Sequence, residues 1–246
     1  MRIVSTGVAS RLPPGSDLGC GLQEFCRAAG ACARQPAGQL LCSRQRLLRG
    51  EALFQAGERL AAVYPISSGS FKADVVNDQG RVQVMGFYLR GEIAGLDGIA
   101  SGYYGSRLIA LEDGEVCAVS FAAVERACRS NAALQRRFLR AMAQEIAMQQ
   151  NMMLVLGRMS AEERVVYFLL NLLARSPSPD SPVAALHLSM SRDEVGCYVG
   201  TTLETVSRVL SNLQQRGLLR VRGRNVTLCD VGALRRLIGQ GRTQEL

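Results

Sequence analysis

Between about residues 45 and 122 the apolar positions come in short alternating runs, for example Phe71, Ala73 and Val75, then Val82 and Val84. Gly57, Gly69 and Gly80 punctuate these runs. Period-two alternation broken by turn residues marks half-buried strands, and many such strands in succession predict a β-barrel or double-sheet roll. The period then changes. From about Ala132 to Gly157 the chain has no proline and no internal glycine, and Leu139, Met142, Ile146, Gln149, Met153 and Leu156 recur at 3-4-3-4-3 spacing. That is the seam of a two-stranded coiled coil. Arg136, Arg137, Arg140, Gln144 and Gln150 flank it, so the pattern predicts a long dimerisation helix rather than one packed wholly on its own domain. Gln149 costs some stability in such a seam and can fix its register.

A third pattern follows. Ser160 stands three residues before Glu163, a capping-box spacing, and opens an apolar helix that ends before a Ser/Pro-rich loop at 176–182. Further on, SMSRDEVGCYVGTTLETVSRVLSNLQQRGLLRVRGRNVTL runs from Ser189 to Leu228. Ser191 can cap a short helix that turns Val195 and Val199 inward. Gly200 supplies a tight turn, and Thr202 can cap a second helix from Leu203 to about Arg216. Val206, Leu210 and Leu213 give that helix an apolar face, while Glu204, Ser207 and Arg208 project from its other side. Gly217 stops it, and a two-stranded wing forms around Gly223. This is a winged helix-turn-helix, whose second helix enters the major groove of double-stranded DNA. Arg208 can bind guanine O6 and N7 in a bidentate way, Glu204 can accept from cytosine N4, and Ser207 can bond a base edge or a phosphate. Arg216, Arg220, Arg222 and Arg224 then lie near the sugar-phosphate rails.

The predicted organisation is α+β: a cysteine-containing segment at 1–44, a β-roll at 45–131, a dimerisation helix at 132–159 and a winged helix-turn-helix at 160–246. Composition sharpens this. The 246 residues are 48% apolar and 20% charged, with a net charge of +8 carried almost wholly by arginine, since Lys72 is the only lysine. Nine arginines against four acids between 190 and 242 give the last segment a positive field of its own. No stretch reads as a signal peptide, and the longest apolar run, Val165–Ala174, is too short to span a bilayer, so a cytoplasmic protein with no membrane partner is expected. The one histidine, His187, sits in an alternating stretch where a strand residue is the simple reading, which leaves little for an enzyme. A thiol oxidoreductase would also lack a C-x-x-C pair and would leave the winged helix without a purpose.

Eight cysteines in a reducing compartment are reduced thiols or metal ligands rather than disulfides. Cys20, Cys26 and Cys32 are each separated by five residues, a spacing that fits a metal site, a redox pair or three small apolar residues alike. Cys42, Cys128, Cys197 and Cys229 have no partner at ligand spacing and read as small apolar residues.

At Glu204, Ser207 and Arg208 the chain shows the pattern E-x-x-S-R, and here it resembles the FNR branch of the cAMP-receptor-protein (CRP/FNR) superfamily of bacterial transcription regulators. LFQAGERLAAVYPISSGSFK, GFYLRGEIAGLDGIASG and AEERVVYFL look like corresponding segments of that branch. The resemblance implies a cyclic-nucleotide-binding-like jelly roll (a double-stranded β-helix), a homodimer, a TTGAT-N4-ATCAA type target and RNA polymerase as a partner. It also implies a [4Fe–4S] cluster that senses oxygen, held through C-x2-C-x5-C and one distant cysteine. Cys20 and Cys26 match the x5 pair and Cys117 the distant ligand, but the first position of the motif is Asp17. The fourth ligand is then Cys32 or Asp17, with sulfur the better donor to iron of this softness. Without a cluster the chain would be a regulator that is constitutive or senses another small ligand. The nucleotide-binding branch holds phosphate with an Arg-Ser pair and a glutamate after Gly-Glu. Here Gly91-Glu92 is followed by Leu96-Asp97, and the order is Ser106-Arg107, which argues against cAMP. In the oxygen-switched relatives the seam carries an acid where this chain has Gln149, so dimerisation is expected to depend less on the cluster.

Overall fold

The computed structural model describes residues 42–176 and 184–239; the candidate ligands Asp17, Cys20, Cys26 and Cys32 lie outside the described residues. Eight strands build the first half: β1 (Cys42–Leu47), β2 (Ala52–Phe54), β3 (Ala62–Ser68), β4 (Phe71–Val76), β5 (Val82–Tyr88), β6 (Ile93–Ala94), β7 (Arg107–Ala110) and β8 (Gly114–Ser120). They form two antiparallel sheets, ordered β1-β8-β3-β6 and β2-β7-β4-β5. Their inner faces meet in a core that includes Leu47, Phe54, Ile66, Phe71, Leu108 and Val116. Phe54 stacks on Tyr104 at a centroid distance of 3.9 Å and lies 5.5 Å from Tyr64, filling the roll with aromatic carbon. At the β3–β4 turn Gly69 has φ +77°, and a Cβ there would stand 2.7 Å from the Cα of Gly114. Only glycine serves where two backbones approach that closely in a left-handed conformation.

Helix α1 (Phe121–Ser130) follows β8 directly; its short apolar pattern gave no signal in the sequence beside the longer helix behind it. Asn131 then ends α1 and starts α2 (Ala132–Arg158), its side chain accepting from the N–H groups of Ala133 and Leu134. An extended residue between two helices with a capping oxygen is the arrangement that leaves fewest terminal N–H groups unsatisfied. The N-terminal turns of α2 bury Leu134 and Phe138 on the outer face of the roll, against Val63, Cys117, Val119 and Val124.

The C-terminal half comprises α3 (Ala161–Ala174), β9 (Ala185–His187), α4 (Arg192–Val199), α5 (Leu203–Gln215), β10 (Leu219–Arg222), β11 (Asn225–Leu228) and α6 (Val231–Leu237). Both Ser160 and Ser191 form complete capping boxes, with Glu163 and Glu194 respectively. The wing has three strands rather than the expected two, because β9 pairs with β11 through Val226↔Leu186. His187 lies on β9 and bonds the side chain of Asn225 at 2.8 Å.

One core runs without a break from the roll into this half. Val84 and Phe87 of β5 pack with Val165, Phe168 and Leu169 of α3, Tyr198 of α4 and Leu213 of α5. Phe87, Phe168 and Tyr198 meet edge to face at centroid distances of 5.2–6.0 Å, pairs worth about 0.5–1.5 kcal/mol each beyond the area they bury. Among the described residues no helix is long and apolar enough to cross a membrane.

Gly196 sits where α4 crosses α5: a Cβ there would lie 2.9 Å from the carbonyl oxygen of Thr201 and 3.1 Å from the backbone of Thr202. Those neighbours are main chain and cannot swing aside. Gly196→Leu is expected to destabilise by about 1–3 kcal/mol, read as a lower thermal midpoint, and an unchanged midpoint would show that the helix crossing is not this tight.

Candidate nucleic-acid interface

Helix α5 buries Val206, Val209, Leu210 and Leu213, which leaves the opposite face free. Glu204 and Arg208 are exposed on it and Ser207 is half-buried. Thr202 caps the helix by accepting from the Thr205 N–H at 3.2 Å. The backbone N–H of Glu204 and the Thr202 hydroxyl both hold the Glu204 carboxyl below its ordinary range, so it is an anion and a pure acceptor at neutral pH. Arg208 reaches back to the Thr205 hydroxyl at 3.4 Å, a long bond that a stronger acceptor displaces. A carboxylate, a hydroxyl and a guanidinium therefore share one exposed face within little more than a helical turn.

The reading of the sequence missed two neighbours of this face. Arg192, the first residue of α4, donates from Nη1 to the Ser207 hydroxyl at 3.2 Å, which adds a second guanidinium to the face. Thr205 sits between Thr202 and Arg208 and bonds both. The capping box at Ser191 places Arg192 at the first helical position, so a signal was present in S-R-D-E, although the pairing with Ser207 needs the fold.

The wing arginines divide. Arg222 and Arg220 are exposed on the outer sheet face beside Asn225 and Thr227. Arg224 is exposed too, but one of its nitrogens donates to the Ser189 carbonyl at 2.7 Å. Arg216 pairs with Glu162 at 2.5 Å at the surface. The Val221 N–H donates to the Gln214 side chain at 2.7 Å and pins the wing to the end of α5.

On α2 the predicted seam lies open. Leu139, Ile146 and Met153, spaced by one heptad, are 56%, 57% and 75% exposed, and Leu156 is also exposed. Met142 is half-buried against the roll. Gln149 donates to Glu145 at 3.1 Å, and Glu145 also accepts from the Tyr88 hydroxyl at 3.2 Å. The Glu145 carboxylate is thereby held from two sides, by the roll and by its own helix.

Cys117 of β8 is 1% exposed, with Ser67 Oγ at 3.4 Å from its sulfur and the base of α2 beyond it. Among the described residues no group of three or more His, Cys, Asp or Glu side chains could hold a metal ion. Of the other cysteines, Cys229 is exposed and Cys197 makes hydrogen bonds across the domain boundary, so neither is the plain apolar filler expected. Inside the roll the groups that could receive an anion are already engaged. Arg107 forms a two-pronged pair with Asp74, which is 0% exposed. The Gly105 N–H and the Ser106 hydroxyl both donate to Asp97, at 3.1 and 2.8 Å.

Two family models match this chain: the Crp-like helix-turn-helix domain over residues 163–237 and the cyclic nucleotide-binding domain over residues 44–131. The chain is 38% identical over 223 residues to the transcriptional regulatory protein btr of Bordetella pertussis, spanning 90% of this chain and 92% of that one. It is 35% identical over 199 residues to the fumarate and nitrate reduction regulatory protein of Escherichia coli K12, spanning 81% and 80% respectively. The solved structure of FixK2 from Bradyrhizobium japonicum superposes with a TM-score of 0.72 at 31% identity, over 80% of this chain and 98% of that chain. With a jelly roll, a long helix and a winged helix-turn-helix in that order, the molecule is a DNA-binding transcription regulator. It belongs to the CRP/FNR superfamily, as an FNR-type member.

The cap of α4 makes this half sensitive to acid. Burial works against the charge of Glu194, but the Lys72 ammonium at 2.8 Å and the Ser191 N–H and hydroxyl outweigh it and hold the carboxyl below its usual 4.5. A depressed carboxyl contributes stability that is present above the ordinary carboxylate range and is lost as pH falls through the folded value. The stability gap between the wild type and Glu194→Gln should stay constant from neutral pH down to about 4.5 and close below it. Unfolding midpoints measured across that range check this, and parallel curves down to the lowest pH would refute it.

Proposed function

We propose that this regulator works as a homodimer joined along α2, reads TTGAT-like palindromic half-sites through Glu204, Ser207 and Arg208, and links transcription by RNA polymerase to oxygen. The observation that carries the DNA reading is the exposed Glu204–Ser207–Arg208 face, whose three side chains differ in hydrogen-bonding type and so can tell base edges apart. Thr202, Arg216, Arg222 and Arg224 are the phosphate contacts, with Arg216 and Arg224 exchanging their internal acceptors for phosphate on binding. The open ladder of Leu139, Ile146 and Met153, continued by Met142, Gln149 and Leu156, supports pairing of two α2 helices, and a two-fold dimer suits a palindrome.

The oxygen link rests on a [4Fe–4S] cluster held by Cys20, Cys26, Cys117 and either Cys32 or Asp17. The position of Cys117 supports it: its thiol is buried on a strand packed against the first turns of α2, where a change of ligation would bear on that helix. Bound there, the cluster would supply a redox-labile centre. The engaged state of Arg107, Gly105 and Ser106 supports a roll that takes no cAMP. A second reading, a regulator without a cluster that is constitutive or senses another small ligand, draws on the uncharged Gln149 and on Asp17 in place of a cysteine.

Arg208→Ala should weaken binding to a TTGAT-N4-ATCAA duplex by about 1–3 kcal/mol with little effect on a scrambled duplex, whereas Arg222→Ala should weaken both and flatten the salt dependence. Equal binding of the two duplexes by the wild type would overturn the proposed target. Full-length protein purified without oxygen should be coloured and carry iron and sulfide in equal amounts, with less of both in Cys117→Ser. Colourless, iron-free protein would favour the second reading.

A further inference from the structure

The faces by which the roll meets the winged helix carry polar contacts as well as the shared apolar core. Lys72, on β4, places its ammonium 2.8 Å from Glu194 of α4 and 3.5 Å from the buried Asp74 of its own sheet. The two partners of the bridge are only 15% and 22% exposed, so water screens it less than a surface pair. Beside it, the Ser70 hydroxyl, anchored on Glu112 at 2.7 Å, lies 2.5 Å from the hydroxyl of Ser189. Ser189 in turn holds the wing residue Arg224 through its carbonyl.

The third contact is at a sheet edge. β5 ends its sheet, so its outward N–H and C=O groups have no neighbouring strand. Unpaired strand edges need cover or a partner. Here Cys197 of α4 supplies one: its sulfur accepts from the Val84 N–H at 3.2 Å and its S–H donates to the Val82 carbonyl at 3.2 Å. Gln83 completes the edge by donating to the Cys197 carbonyl at 2.8 Å. All these contacts fall on or just before α4, and none covers Glu204 or Arg208 on the reading face of α5.

We propose that Lys72 and Cys197 are positioning residues for DNA reading: they clasp α4 to the β4–β5 edge and so fix the attitude of the recognition helix relative to the dimer helix. A two-fold reader must present both helices at the spacing of two half-sites, about 34–36 Å. A DNA-binding domain free to swing would dock on one half-site as well as before, but the second domain would then find its half-site at a lower effective concentration. The clasp acts on the second event alone.

This inference rests on the DNA reading proposed above, and the test separates the two. Binding of full-length protein is measured on a TTGAT-N4-ATCAA duplex and on a duplex carrying one intact half-site. Lys72→Met should lower affinity for the palindrome roughly tenfold while leaving the single half-site unchanged. Glu194→Gln, which keeps the capping box, should act the same way. Because Lys72 also touches Asp74, the double variant isolates the bond between domains: it should bind no worse than Lys72→Met alone, and multiplied losses would overturn the clasp. Cys197→Ser, which keeps a donor and an acceptor at that edge, should retain palindrome binding better than Cys197→Val. A wild type that ignores the palindrome sinks the DNA reading and the clasp with it. A wild type that prefers it, with Lys72→Met falling on both duplexes alike or on neither, overturns the clasp and leaves the reading standing.

Discussion

The fold of this regulator turns on where Phe87 goes. It sits on the edge strand of a roll, at a position that a free-standing roll would show to water, and it is buried between Phe168 of α3 and Tyr198 of α4. Burying an aromatic side chain of this size is among the larger contributions one residue makes, on the order of 1.5–3 kcal/mol. Because that burial is shared, the roll and the winged helix cannot be treated as two bodies on a string. Arg175 reinforces the junction by donating to Glu92 through two nitrogens at 2.7 Å and to the Phe87 carbonyl. Tyr198, pushed up to about 12 by burial, stays neutral in that setting and adds no charge to desolvate.

The arginine-rich composition takes on a different meaning once the partners are known. Arg107, Arg164, Arg175 and Arg216 spend their donors inside the molecule: Arg164, for example, bonds the carbonyls of Met159, Val199 and Gly200 and so ties the start of α3 to the turn of the helix-turn-helix. Arg208, Arg220 and Arg222 are exposed on α5 and the wing, and Arg192 is exposed beside them while donating to Ser207. Net charge alone is weak evidence for an anionic partner. The arginines therefore divide between those engaged inside the fold and those left exposed.

Local pattern made much of this legible in the sequence. The heptad spacing of Leu139, Ile146 and Met153, the caps at Ser160, Ser191 and Thr202, and the glycine turn at Gly200 are short-range signals, and the structure has helices and caps at those places. What stayed hidden depends on residues far apart in the chain. Nothing near Lys72 marks Glu194 as its partner, nothing near Cys197 predicts an open strand edge beside it, and β9 joins the wing only by pairing with β11. Helix α1 was hidden for another reason: its 10 residues are flanked by a strand and a longer helix, and two buried side chains are too few to set a period. The cysteine segment at Cys20, Cys26 and Cys32 lies outside the described residues, so its spacing stands as a motif without a geometry.

The end of α2 leans on the helix-turn-helix itself: a Cβ on Gly200 would meet a Leu156 methyl at 3.0 Å, and Gly200 takes φ +65° to close the turn. A helix joined so tightly at both ends acts as a ruler. Adding one residue anywhere between Asn131 and Met159 would advance everything beyond it by 1.5 Å and rotate it by about 100°. The exposed apolar ladder would be broken, and the helix-turn-helix would be turned relative to the roll. The helix can therefore accept changes at its exposed polar positions far more readily than any change in its length.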